Sequence, residues 1–207
     1  MRRTSSASPA ASGSCDNRGM RLRVLLAASL GLAVPAVGHA VSEPSWRALH
    51  RPLHIPRIAP GSRCPVSVLR NVQLKPGEVR PLRGAGPAYP ILDDDGVLRF
   101  YWPPLASQPD FYGTGWSGNK VMWVVRPSYT GRVLVRGRQL DGPRVLRFDA
   151  PMTSERRLWG STGSDPVRRY PGYTRVAAPG CYAYQIDGTS FSRVIVFEAR
   201  VVPPPQP

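Results

Sequence analysis

Proline and glycine punctuate this chain so closely that a helix of more than a few turns has almost nowhere to form. There are 24 prolines and 20 glycines in 207 residues, spread along the length rather than pooled in one segment. Proline removes a backbone donor and blocks the preceding turn of a helix, and glycine costs it backbone entropy. What survives between them are short runs rich in β-branched and aromatic residues: 64–72, 89–92, 97–102, 120–126, 132–138, 145–148, 173–177, 181–186 and 191–201. Asp93-Asp94-Asp95-Gly96 and Asp187-Gly188 separate neighbouring runs and read as hairpin turns. Asp141-Gly142-Pro143 reads as a further turn. Eight or nine short strands with turn signals between them predict an all-β sandwich or barrel. The chain has no internal repeat, which argues against a propeller or solenoid.

The first forty residues follow a different plan. Met20-Arg21-Leu22-Arg23 is a short positive segment, residues 24–37 are apolar, and Gly38-His39-Ala40 brings small residues to −3 and −1 of a cleavage point. This is the layout of a secretory signal peptide, cut after Ala40. The apolar stretch falls short of the roughly 20 residues a transmembrane helix needs. Residues before Met20 are Ser- and Ala-rich and without apolar periodicity, which makes Met20 a candidate start. The expected organisation is 1–40 as extension and signal peptide, 41–60 as a Pro-interrupted strap lying on the domain, 61–202 as the β domain, and 203–207 as a Pro-rich tail. The expected location is secreted or envelope-associated, with no transmembrane anchor in the mature chain.

Cleavage after Ala40 removes Cys15 and leaves Cys64 and Cys181. An even pair in an exported protein reads as a disulfide. A loop of more than 100 residues closed this way stabilises the fold by about 4–5 kcal/mol in the chain-entropy account.

The formal charge is +15, almost all of it from arginine; Lys75 and Lys120 are the only lysines. A basic protein attracts anionic polymers such as nucleic acid, acidic cell-wall polymer or anionic lipid. Nucleic acid is disfavoured, because the arginines form no run and no basic helix. GC-rich codon usage explains the arginine excess equally well. The one local row is Arg132, Arg136 and Arg138, which strand alternation places on one side of a single strand together with Leu134.

Pro179 to Gly188 resembles the penultimate strand of an immunoglobulin-like domain, with Phe191 to Val201 as the last strand. That resemblance implies an immunoglobulin-like β-sandwich with one disulfide, and it puts Trp123 against the Cys64–Cys181 bridge. The distance from Cys64 to Trp123 exceeds that of an antibody domain, and position 179 is Pro rather than the Tyr of a tyrosine corner. The mature stretch is also similar to a group of uncharacterised exported proteins from high-GC, actinobacteria-like genomes. The residues that carry this are Trp46 to His54, Pro60 to Pro65, Val125 to Tyr129, Arg136 to Gly142 and Gly180 to Phe191. The resemblance implies export and a β-sandwich, and no catalytic residue.

No cofactor or catalytic motif stands out. His50 and His54 have the spacing of helical zinc ligands, but Pro52 lies between them and a third ligand is lacking. Three consecutive aspartates do not alternate as calcium ligands do. Gly115-Trp116-Ser117-Gly118 lacks the strand-turn-helix setting of a nucleophile elbow. The loop aromatics Phe111, Tyr112 and Trp116 are candidates for a binding surface, or for sealing one end of the core. The functional expectation is a non-catalytic exported domain that binds an anionic cell-wall polymer or an envelope protein. A structural or interaction module using the strap and tail is the alternative, and an unrecognised hydrolase the third reading.

Overall fold

A computed structural model describes residues 45–206 except Asp94 and Ser161. The signal-peptide reading, the cleavage after Ala40 and Cys15 lie outside the described residues. Among these the fold is almost all β. One 3-10 turn, Trp46–Leu49, precedes eleven strands. They are β1 (Leu69–Lys75), β2 (Glu78–Arg83), β3 (Ala88–Ile91), β4 (Val97–Phe100), β5 (Ser117–Val125), β6 (Val133–Gln139), β7 (Arg147–Phe148), β8 (Arg156–Leu158), β9 (Arg168–Val176), β10 (Gly180–Gly188) and β11 (Ser192–Val201). No helix among the described residues is long and apolar enough to cross a membrane.

The strands form a five-stranded sheet, β4-β11-β10-β6-β8, a four-stranded sheet, β3-β5-β9-β7, and a separate β1–β2 hairpin. Strand alternation explains how they pack. From the five-stranded sheet, Val133, Val135, Tyr182, Tyr184, Ile186, Ile195 and Phe197 point inward; from the four-stranded sheet, Val121, Trp123, Val125 and Phe148 meet them. Trp123 packs edge-on to Tyr184 at 5.0 Å, and the Tyr184 hydroxyl, fully buried, is satisfied by Thr174 Oγ1 at 2.9 Å. The hairpin covers the outer face of the four-stranded sheet, where Val72, Leu74 and Leu82 pack with Tyr89, Val124 and Val167.

The outer face of the five-stranded sheet is covered by residues 45–68. Ile55 and Ile58 pack with Leu140, Cys181, Ala183 and Val196, and the Cys64–Cys181 disulfide lies in the same cluster. Polar groups of the sheet meet the strap's backbone. Gln185 donates to Pro52 O at 2.9 Å and accepts from His54 N at 2.7 Å, while Ile58 N donates to Leu140 O at 3.0 Å. The sandwich is thus layered strap, sheet, core, sheet, hairpin.

Three expectations need correction. The strand count is eleven rather than eight or nine among the described residues: β2 and β8 were hidden, β2 because it carries Pro81 and β8 because it is three residues long. Pro81 is tolerated because it sits in a two-stranded ribbon opposite Asn71. The Asp93–Gly96 turn does not close a hairpin. β3 pairs with β5 in one sheet, and β4 pairs in parallel with β11 in the other, so the turn carries the chain between sheets. Gly96, at φ +73°, makes the reversal and donates to Asp93 O at 2.7 Å. Finally, Trp123 does not lie on the disulfide. Tyr182 and Tyr184 face the core, so Cys181 faces the strap, on the opposite side of β10.

Candidate functional site

At one end of the sandwich, the β5–β6 and β8–β9 loops enclose a groove with an aromatic wall. β5 ends at Val125 and the chain turns through Arg126-Pro127-Ser128-Tyr129, closed by Tyr129 N donating to Arg126 O at 3.1 Å. Tyr129 is pinned: its hydroxyl donates to Arg132 O at 2.7 Å and accepts from Thr189 N at 2.8 Å, and its ring meets Phe191 edge-on at 5.0 Å. Trp159 follows β8 directly, and Tyr170 Oη donates to Gly160 O at 2.8 Å behind it. Residues 160–167 then lead into β9, braced by Arg169 N donating to Thr162 Oγ1 and Val167 N donating to Asp165, both at 2.9 Å.

The result is a groove of about 510 Å³ whose walls include Pro127, Tyr129, Trp159, Pro166 and Arg168. A second depression of about 370 Å³ shares Pro127 and Pro166 with it and continues past Arg126 to Leu74, Lys75 and Pro76. The two proline rings form a saddle between them, so the site is elongated and shallow rather than a closed pocket.

Trp159 is 44% exposed, much as Trp102 is at 43%, but Trp159 stands in the groove wall and is held in place. The Arg132 guanidinium lies 4.9 Å from its ring centroid and 5.3 Å from that of Trp46; Arg157 lies 5.2 Å from Trp46. Two cations and two indoles thus alternate, and each contact adds about 0.5–1 kcal/mol at exposed positions. This ladder ties the first turn of the strap to the edge of the groove.

The charges along the groove are unevenly compensated. Asp165 is paired with Lys75 at 2.8 Å and Arg169 at 2.6 Å, and Arg169 also grips Glu78 at 2.7 Å. The Lys75 hydrogen bond, helped by the Val167 amide, holds the Asp165 carboxyl down at about 2. The Arg169 hydrogen bond likewise lowers Glu78. Arg168 donates to neutral carbonyls, to Tyr129 O at 2.6 Å and to Gly131 O. Arg126 is half-buried, and no hydrogen bond or ion pair reaches its side chain among the described residues; its Nε is buried without an acceptor.

The residues singled out in the sequence lie elsewhere, apart from one. Phe111 is buried, edge-on to Tyr173 at 5.2 Å and 4.6 Å from the Arg175 guanidinium, so it seals the core. Tyr112 is exposed, and Trp116 lies half-buried with Arg147 at 5.8 Å. Arg136 and Arg138 reach into the strap: Arg136 bonds Asp187 at 2.8 Å and Arg51 O, and Arg138 bonds Ile55 O. The row therefore does not face solvent as an open strip, and Arg132 alone belongs to the groove, through Trp159. His50 pairs with Glu155 at 2.7 Å, while His54 contributes its backbone amide to Gln185. Asp93 and Asp95 both grip Arg99. Ser117 is buried and donates to Tyr101 O at 2.6 Å.

In the sequence Arg126, Pro127 and Tyr129 figure in the resemblance and not as site residues, and Trp159 and Pro166 do not figure at all. The available signal was a lone Trp-Gly pair and a Pro-Ser-Tyr turn some thirty residues apart, with nothing local to join them. Compared with known proteins, the chain matches no family model, no curated protein and no solved structure.

Proposed function

We propose that this protein is an exported, non-catalytic domain that binds a chain-like glycan of the cell envelope in the groove between Trp159 and Pro127. The observation that carries this reading is Trp159 itself: a large indole kept half-exposed and pre-ordered by Arg132 at the rim of an elongated, proline-floored groove. Sugar rings present an apolar C–H face, and a rigid indole receives it with little loss of side-chain entropy. The continuation of the groove over Pro127 and Pro166 suits several linked units rather than one small molecule. Binding sites of this kind sit on loops held by a rigid scaffold, here the two packed sheets.

The same reading takes residues 1–40 as a signal peptide cut after Ala40, and the five-plus-four sandwich as immunoglobulin-like. The β10–β11 hairpin within the five-stranded sheet supports the second point, and the Cys64–Cys181 bridge is what an oxidising compartment allows. N-terminal sequencing of protein recovered from envelope or medium is expected to begin at Val41; a full-length cytosolic chain overturns the export reading. Co-sedimentation with purified envelope polysaccharide tests the groove. Trp159→Ala is expected to reduce the bound fraction about tenfold, the scale of a central aromatic anchor. Equal sedimentation of Trp159→Ala and the parent protein excludes the site.

A further inference from the structure

We infer that the groove reads an anionic group on the glycan chain, with Arg126 as the residue that receives it. The inference rests on the proposed glycan reading and adds the ligand's charge. Three cations line the two joined depressions, Lys75, Arg126 and Arg168, against one carboxylate, Asp165. Asp165 is already matched by Lys75 and by Arg169, so it offers no counter-charge to the remaining two. Arg168 has its donors on the carbonyls of Tyr129 and Gly131, which orients that loop and leaves its charge uncancelled. Arg126 has its charge uncancelled and its donors unused.

That combination is unusual for a half-buried guanidinium. A buried donor without an acceptor costs about 1–3 kcal/mol, and native folds seldom leave one. The Nε atoms of Arg136, Arg138 and Arg156 are also buried without acceptors, so what sets Arg126 apart is its terminal nitrogens. Those of Arg136 reach Asp187, those of Arg138 reach Ile55 O, those of Arg156 reach Asp149, and Arg175 reaches the carbonyls of Asp149 and Asp110, whereas those of Arg126 reach no protein acceptor among the described residues. Arg126 lies beside Pro127, on the saddle that joins the aromatic end to the Leu74 end. A carboxylate or a phosphate carried on a sugar seated over the saddle supplies the missing acceptor as a charge-assisted, two-pronged hydrogen bond. The carboxylate and phosphate forms share this chemistry. The arginine row of β6 cannot serve the purpose, because Arg136 and Arg138 are committed to the strap.

Calorimetry with two matched pairs of oligomers tests this and separates the two anions. One pair is an oligogalacturonate and its neutral methyl ester; the other is a phosphomannan oligomer and its dephosphorylated form. At low salt the parent protein is expected to bind the charged member of one pair about tenfold more tightly than its neutral counterpart. Arg126→Gln is expected to bring the charged and neutral members to parity, and Arg126→Lys to retain part of the preference. Trp159→Ala is expected to weaken both members equally. Arg126→Gln should not lower the thermal midpoint, since the side chain makes no hydrogen bond to be lost. If Arg126→Gln retains the preference, or the parent protein shows none, the inference fails; sensitivity to Trp159→Ala then leaves the glycan reading standing. If no oligomer binds at millimolar concentration, or a proline-rich peptide binds in their place, both readings fall.

Discussion

Arg136 and Asp187 meet beneath the strap, the guanidinium 2.8 Å from a carboxylate oxygen that solvent does not reach. Asp187 also accepts from Gln185 Nε2 at 3.0 Å and Ser192 Oγ at 2.7 Å, with Arg51 at 3.7 Å. Both oxygens of this carboxylate therefore accept hydrogen bonds, which is the condition under which a buried charge is tolerated. Arg136 in turn donates to Arg51 O, so one ion pair links β6, β10 and the strap.

Asp187→Ala is expected to destabilise the fold by about 3–5 kcal/mol, because it strands a half-buried Arg136 without its counter-charge. Urea unfolding measures this. Glu198→Ala, which removes the half-buried partner of the exposed Arg200, is expected to cost under about 1 kcal/mol. Similar losses for the two variants would show that the Asp187 cluster is no more than another surface pair.

Arg138→Ala removes the donor to Ile55 O and is expected to cost about 1–3 kcal/mol. The strap should then become the first site of tryptic cleavage, at the exposed Arg57 or Arg63. A variant as stable and as protease-resistant as the parent would mean the strap is held by its apolar contacts alone.

The disulfide joins residues 117 apart and pins the strap's end to β10. Its removal by Cys64→Ser with Cys181→Ser is expected to lower stability by about 4–5 kcal/mol if unfolded-chain entropy dominates. Mass spectrometry of the oxidised protein should find no alkylation at either cysteine without reductant. A loss below about 1 kcal/mol would mean that the Ile55–Leu140–Val196 cluster already holds the segment in place.

The all-β class was legible because it depends on local rules. Proline and glycine exclude long helices, and the hairpin expected at Asp187-Gly188 does form between β10 and β11, although both residues end β10 and the turn itself is Thr189-Ser190. The same turn chemistry misled at Asp93–Gly96, because a turn dictates that the chain reverses and not which sheet receives it. Whether β4 lies beside β3 or beside β11 is decided by how Leu98 and Phe100 fill the core. The arginine row failed as an open surface for a related reason. Alternation correctly put Arg132, Arg136 and Arg138 on one face with Leu134, but nothing in that strand shows that residues 45–60 return to cover it. The buried Leu134 beside them was the one hint. The groove was least legible, since Leu74, Arg126, Tyr129 and Trp159 converge only through the packing of hairpin, sheet and loop.

Acid should release the hairpin before the rest of the molecule. Asp165 is held at about 2 by Lys75 and the Val167 amide, and Glu78 is lowered by Arg169. Both carboxyls are held below their unfolded-chain range, so both groups stabilise the fold when ionised. Their contribution is complete above the ordinary carboxylate range and is lost as pH falls from about 4.5 toward 2. Lys75 and Glu78 lie on β1 and β2, whereas Asp165 and Arg169 belong to the 160–169 segment, so the pairs fasten the hairpin to the groove. Hydrogen exchange between pH 5 and pH 2.5 should show β1–β2 amides losing protection ahead of β10 and β11, after correction for intrinsic rates. Uniform loss across all strands would show that these pairs do not govern the hairpin.

The strap should also tune the groove, through Trp46. This indole belongs to the strap's first turn, yet it lies 5.3 Å from Arg132, which in turn supports Trp159 at 4.9 Å. Removing Trp46 takes away one of the two rings that flank the Arg132 guanidinium, and it does so without touching the groove wall. Trp46→Ala is therefore expected to loosen Trp159 and to weaken binding of the groove's ligand by a factor of about 2–5, equivalent to one exposed cation–π contact of about 0.5–1 kcal/mol. Arg132→Gln removes the contact itself and should have at least as large an effect. Indole NMR signals separate the effect from general unfolding: the Trp159 resonance should broaden or shift while that of Trp123, in the core, stays in place. An unchanged Trp159 signal in both variants would mean that the neighbouring backbone, anchored by Tyr170 to Gly160 O, is sufficient to hold the indole.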